Sequence, residues 1–239
     1  MELNKITDQE FATLPHFDVE YEDSAYAGEM SRGAYDILAN ACDDAASGYF
    51  DEMLQDLYFD QALLAREMRA NGAFARVVKR LYEHGVASGD AGCCCNLANI
   101  YHDTSNQGSA KDYARAVELY ELGSDRGDTQ SMINLGYIYY YGRGREKDYA
   151  RAYECYARAA LTGTNPEAYW KLGDFYASGK GVRKSERIAW HLYSKAYELA
   201  GKSPLAARAA HHMADYLMHG IDGVVRPDPA RLASTCRLR

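Results

Sequence analysis

Small and apolar residues recur four positions apart along a stripe that appears four times in the chain. Cys93, Leu97 and Tyr101 define it first; Ser131, Leu135 and Tyr139 repeat it, then Ala168, Leu172 and Tyr176, and last Ala209, Met213 and Leu217. Positions i, i+4 and i+8 share one face of an α-helix. Each copy therefore predicts a helix that a neighbour can approach closely at the small residue, while the Leu and the aromatic ring fill the seam. A second stripe follows each of the first three copies: Ala116, Leu119, Tyr120 and Gly123; Ala152, Cys155, Tyr156 and Ala159; Ala189, Leu192, Tyr193 and Ala196. Its spacing is again helical. Glycine-rich links stand after the first stripe, at Gly142 and Gly144, at Gly179 and Gly181, and at Gly220 and Gly223. Such links end a helix and turn the chain.

The pattern is also a repeat of identity. KDYARAVELY at 111–120 returns 36 residues later as KDYARAYECY, the same at eight of ten positions, and LYEHGVASGD at 81–90 returns as LYELGSDRGD at 119–128, the same at six of ten. A period of 36 to 38 residues predicts a solenoid, because one helix pair cannot bury its apolar face without a neighbour. Unit boundaries carry start signals. Asp90 and Asp128 each follow a glycine, and Asn165-Pro166 and Ser203-Pro204 set a capping side chain before a first-turn proline.

These residues carry a family resemblance. Ala, Leu-Gly-x-x-Tyr, a Gly-x-Gly turn and an Ala-rich helix closing on Ala-x-x-Gly resemble the Sel-one-like repeat (SLR), a branch of the tetratricopeptide-repeat superfamily. The clearest copy, 128–163, carries Ser131, Leu135, Gly136, Tyr139, Gly142, Gly144, Ala152, Tyr156, Ala159, Ala160 and Gly163. The resemblance covers about residues 73–239. It implies an all-α fold, a right-handed α-solenoid of antiparallel helix pairs, with an acidic helical N-terminal cap. The first copy departs from the pattern: Leu97 is followed by Ala98, and no Gly-x-Gly turn follows Tyr101.

Residues 1–60 lack the repeat and are expected to form the mainly helical cap, with 61–239 holding about 3.5 to 4 units, the last incomplete. Thr7 and Glu10 have capping-box spacing, and Pro15 would stop a short helix. Phe50, Met53, Leu54, Leu57 and Tyr58 predict an acidic amphipathic helix that Gly48 starts, and Gly72 is expected to mark a break before a helix ending near Ser88. At the other end, Asp228-Pro229 should open a helix that the chain leaves unfinished at Arg239. Leu232 and Leu238 then have little to pack on, which motivates a homodimer through that edge.

Charge divides unevenly. Residues 1–60 hold 15 Asp and Glu against two basic residues, so that the overall −7 conceals a −13 segment and a +6 remainder. Basic residues beyond position 60 are interspersed with acidic ones, which argues against a nucleic-acid partner. No apolar run is long enough to cross a bilayer and the first residues carry no export signal, so a cytoplasmic protein without a membrane partner is expected. Six cysteines show no CxxC spacing. Adjacent Cys93, Cys94 and Cys95 point about 100° apart on a helix, a poor geometry for one metal ion. With His211, His212 and His219 they read as structural, and neither metal nor cofactor is expected. No nucleophile elbow, zinc motif or phosphate loop is present.

The resemblance leaves a surface as the functional element. In the superfamily the first helices of successive units line a concave groove. Carried onto this chain, one row reads Cys95, Ile133, Trp170 and His211; a second Asn99, Tyr137, Asp174 and Asp215; a third His102, Tyr140, Ala177 and Met218. Aromatic anchors among polar groups have the composition of a binding hot spot. The expected function is therefore a non-enzymatic scaffold or adaptor for a protein or peptide. Two alternatives remain: a regulatory or neutralising, immunity-like protein whose acidic N-terminal segment folds back across the basic remainder or neutralises a basic partner, and a hydrolase like the cysteine-rich, β-lactam-binding branch of the family, whose paired cysteines this chain lacks.

Overall fold

A computed structural model describes residues 17, 20, 22, 24, 30–58, 61–105, 110–221 and 223–228. Eleven α-helices make up the regular structure of the described residues, with only isolated bridge pairing beside them. The fold class is the expected one: all-α, built from repeated helix pairs. None of the described helices is long and apolar enough to cross a membrane.

The chain falls into two compact units, residues 1–128 and 129–239. The first contains α1 (Arg32–Ala46), α2 (Phe50–Tyr58), α3 (Gln61–Ala70), α4 (Gly72–Ser88), α5 (Ala91–Ser105) and α6 (Ala110–Asp125). Its core gathers Leu38, Met53, Leu57, Phe74 and Leu81, all fully buried. The second contains α7 (Thr129–Tyr141), α8 (Tyr149–Leu161), α9 (Pro166–Ser178), α10 (Glu186–Ala200) and α11 (Pro204–His219). Here α7 packs on α8, α8 on α9, α9 on α10 and α10 on α11.

The periodic residues form the seams. The four small residues Cys93, Ser131, Ala168 and Ala209 are all fully buried, and Leu97, Leu135, Leu172 and Met213 are nearly so. Each such Leu contributes roughly 1.5–3 kcal/mol of burial. The turn that follows the first helix closes in the same way in the three copies whose link is described. The backbone N–H of Asp148 donates to the carbonyl of Tyr139, that of Ser185 to Tyr176 and that of Asp228 to Leu217, each at 2.9 Å. Asp148 and Ser185 then cap the next helix through their side chains, which accept from the amides of Arg151 and Ile188. Asp228 occupies the equivalent place in the fourth copy. The helix expected after it, with Leu232, Leu238 and the homodimer edge, lies outside the described residues, as do the Thr7 and Glu10 capping box, Pro15, Cys236 and the link after Ser105.

Two features of the first unit differ from the sequence reading. α1 was not anticipated, although Ala34, Leu38, Ala41 and Ala45 line its buried face. The break expected at Gly72 stands one residue earlier: Asn71 is the N-cap, its side chain accepting from the amides of Ala73 and Phe74, and Gly72 is the first residue of α4. A second helix, α3, also occupies the stretch between Tyr58 and Asn71.

Candidate functional site

Within residues 129–239 the first helices of three successive repeats, α7, α9 and α11, meet through side chains of opposite and complementary character. The local sequence sets their register. Asn165 accepts from the amide of Glu167 and Pro166 begins α9, which fixes Glu167 in the first turn. There the Glu167 carboxylate accepts a hydrogen bond from the Tyr137 hydroxyl of α7 at 2.5 Å. Burial, and next that bond, push the Tyr137 phenol up from its ordinary value.

One turn further along α9 lies Lys171. Its Nζ stands 4.1 Å from the centroid of the Trp170 ring, 4.7 Å from Tyr137 and 6.0 Å from Tyr140, distances at which ring quadrupoles attract a cation. The side chain is 8% exposed and its nearest charge is Asp174, 3.8 Å away. Burial lowers the Lys171 pKa, against the opposing pull of Asp174 and Glu167.

Asp174 links α9 to α10 and α11. It accepts from the Tyr193 hydroxyl at 2.9 Å, and His212 Nε2 of α11 lies 3.7 Å from it. The His212 ring stacks on Tyr193 with centroids 4.9 Å apart and planes within 8°. Arg208 of α11 places its guanidinium 5.6 Å from the Trp170 ring. The aromatic rim is completed by Tyr140, which accepts from Lys180 Nζ at 2.8 Å, and by Tyr141, stacked on Tyr137 at 6.1 Å and 47% exposed.

Tyr137, Tyr140, Trp170 and Asp174 are thus brought together, but not with equal access. Tyr137, Tyr140 and Asp174 are half-buried, and His211 and Asp215 are exposed on α11. Ile133 is fully buried and Trp170 is 9% exposed. Both side chains are buried, Trp170 in a core cluster that includes Ala189, Tyr193 and Met213, so neither offers a partner the open surface expected from the sequence. Asn99 and His102 belong to the first unit, where Asn99 accepts from the Tyr120 hydroxyl at 2.7 Å and His102 packs against the Tyr113 ring. Glu167, Lys171, Arg208 and Tyr141 were not singled out from sequence, and His212 was read there as structural. The i, i+4 spacing of Glu167 and Lys171, with Asp174 three further on, was the one signal available.

A family profile for the Sel1 repeat matches this chain four times, over residues 91–128, 129–163, 166–200 and 207–233. The chain is similar in fold to a Sel1 repeat protein from Oxalobacter formigenes, with a TM-score of 0.62 at 22% identity over 98% of this chain and 84% of that one. It is similar in the same way to c5321, a protective antigen of uropathogenic Escherichia coli displaying an SLR fold, with a TM-score of 0.62 at 20% identity over 86% of this chain and 41% of that one. Among curated proteins it resembles the chitin synthase regulator SKT5 of Saccharomyces cerevisiae, 34% identical over 118 residues, which are 48% of this chain and 17% of that relative.

Proposed function

The chain belongs to the Sel1 repeat family, and on that footing we propose that it is a non-enzymatic interaction scaffold that recognises a protein or peptide partner on the face formed by α7, α9 and α11. The observation that carries this reading is the aromatic and charged cluster of Tyr137, Tyr140, Tyr141, Lys171 and Asp174 shared between successive first helices. Tyrosine rings supply large, rigid contact area at low entropic cost, the half-buried Asp174 sets register, and the buried Lys171 ammonium holds the rings in place. His211 and Asp215 extend the face on α11. A regulator acts by binding, and the resemblance to the SKT5 regulator supports recognition over turnover. Free cysteines at positions 42, 93, 94, 95 and 155 are compatible with a reducing, cytoplasmic setting.

Affinity capture from a native lysate tests the proposal, with the wild type compared with a Tyr140→Ala/Tyr141→Ala variant and retained proteins identified by mass spectrometry. The expected result is a partner held by the wild type and lost from the variant, whose melting temperature falls but whose circular dichroism at the assay temperature is unchanged. Equal retention by both proteins counts against the face.

A further inference from the structure

We propose that residues 1–128 carry a second docking site, a groove bounded by α3, α4 and α5, and that it takes an acidic peptide segment of a partner protein in which apolar side chains are interspersed with carboxylates. This proposal is independent of the face on α7, α9 and α11.

Shape and lining come first. The groove is open and encloses about 950 Å³, a size that accommodates several side chains of a bound segment. Leu64, Met68, Val78 and Ile100 contribute to its lining, and Leu64, Met68 and Ile100 remain only half-buried in the free protein. An apolar surface of this kind is a binding groove when polar residues rim it.

Charge identifies the occupant. Residues 1–128 carry 24 Asp and Glu against ten Lys and Arg, yet among the described residues Arg69, Arg76 and Lys79 line the groove and Asp112 is the one carboxylate that does. Elsewhere in the unit Arg32 pairs with Glu22, Arg66 with Glu67 and Arg115 with Glu118, while the exposed Arg80 makes no ion pair among the described residues. Arg69 and Arg76 make no ion pair or hydrogen bond among the described residues, and the Lys79 ammonium lies 4.4 Å above the Tyr101 ring. A local reversal of sign around an apolar floor fits carboxylates arriving with apolar side chains. A nucleic-acid backbone needs a longer cationic track, and the acidic excess of the unit opposes it.

A third element points to peptide. The Tyr58 hydroxyl donates to Asn96 Oδ1 in the wall of the groove and so orients that carboxamide. The Asn96 amide donors have no acceptor among the described residues, and a backbone carbonyl of an extended or helical segment would supply one.

The test uses the full chain and a random peptide library displayed on phage, with the selected peptides resynthesised carrying a fluorescent label. The expected sequences are rich in Asp and Glu together with Leu, Phe or Tyr. Their binding should weaken about tenfold or more in an Arg69→Glu/Arg76→Glu/Lys79→Glu variant and fall with added salt, while Tyr141→Ala leaves it unchanged. An Arg69→Gln/Arg76→Gln variant, checked for an unaltered melting temperature, should show a smaller loss in the same direction and guards against misfolding of the triple variant. Failure to select acidic peptides, or binding indifferent to charge reversal, overturns the proposal. So does displacement of every selected peptide by a synthetic peptide of residues 1–29, which would assign the groove to the chain's own acidic N-terminus.

Discussion

The ring of Tyr193 packs so closely on Gly173 that a Cβ at the glycine would stand 2.6 Å from Cε1 and 2.7 Å from Cδ1. Tyr156 bears the same relation to Gly136, at 2.8 Å from Cζ. The glycine of the Leu-Gly motif is therefore the footprint of a tyrosine on the paired helix. Gly173→Ala and Gly136→Ala should each destabilise the protein by about 1–3 kcal/mol through overpacking, despite the better helix propensity of alanine. Urea unfolding followed by circular dichroism checks this as a lower midpoint; an unchanged or higher midpoint at both positions would refute it. Ala98 holds the same slot in the first repeat and is fully buried, so Ala98→Gly should cost roughly 0.5–1 kcal/mol and relieve nothing.

Alkali should unfold the protein early. Burial, then Asp174, hold the Tyr193 phenol above its ordinary value of 10.0, and burial is the leading cause for Tyr82 and Tyr156 as well. Burial also pushes the Cys42 thiol from 9.0 to about 12. Above pH 9 to 10 the unfolded chain loses protons that the folded chain retains, so stability is fully present below that range and declines as pH rises through it. Chemical denaturation at a series of pH values should show the fall beginning there. Tyr193→Phe should make the decline shallower, and a stability curve that is flat from neutral pH into strong alkali contradicts the assignment.

Trp170 and Tyr141 should separate stability from recognition. Trp170 is buried in a core cluster with Ala189, Tyr193 and Met213, and Trp170→Ala should lower stability by about 3–5 kcal/mol. Tyr141 is 47% exposed, and Tyr141→Ala should leave the melting temperature nearly unchanged while weakening capture of the partner. Thermal melts of the two variants, run beside the capture experiment, test the division. A stable Trp170→Ala protein would return that ring to the candidate surface.

The repeat was legible because its periodicity and its packing are the same thing: small residues four before each Leu are buried, and of the expected capping residues Asp90 and Asn165 accept from the amides of Cys93 and Glu167, whereas the Ser203 side chain makes no capping bond and Pro204 alone marks that start. α1 escaped notice because its buried face, built on Ala34, Leu38, Ala41 and Ala45, has no second copy in the chain to draw attention to it. The site was legible only in its aromatic residues. Lys171, Arg208 and His212 occupy positions outside the recurring motif, and their meeting depends on the lateral spacing of helices from different repeats, which no local pattern encodes. Ile133 and Trp170 were placed on the surface by family register, yet at those two positions the seam between helices takes the side chain inward.

Lys171 offers the sharpest test of why the cluster exists. Its aliphatic stem is packed among aromatic rings and its ammonium, near Asp174 at 3.8 Å, makes no hydrogen bond among the described residues. The stem stabilises by burial, whereas the desolvated charge opposes it. Lys171→Met keeps the stem volume and removes the charge, and should be at least as stable as the wild type. Lys171→Ala loses the packing and should cost about 1–3 kcal/mol. If both hold, the ammonium is not there for stability, and the Met variant should still capture its partner less well, since the face has lost its buried cation. Denaturant midpoints for the pair decide the first point: a Met variant as unstable as the Ala variant would make the charge itself a structural element and remove Lys171 from the recognition surface.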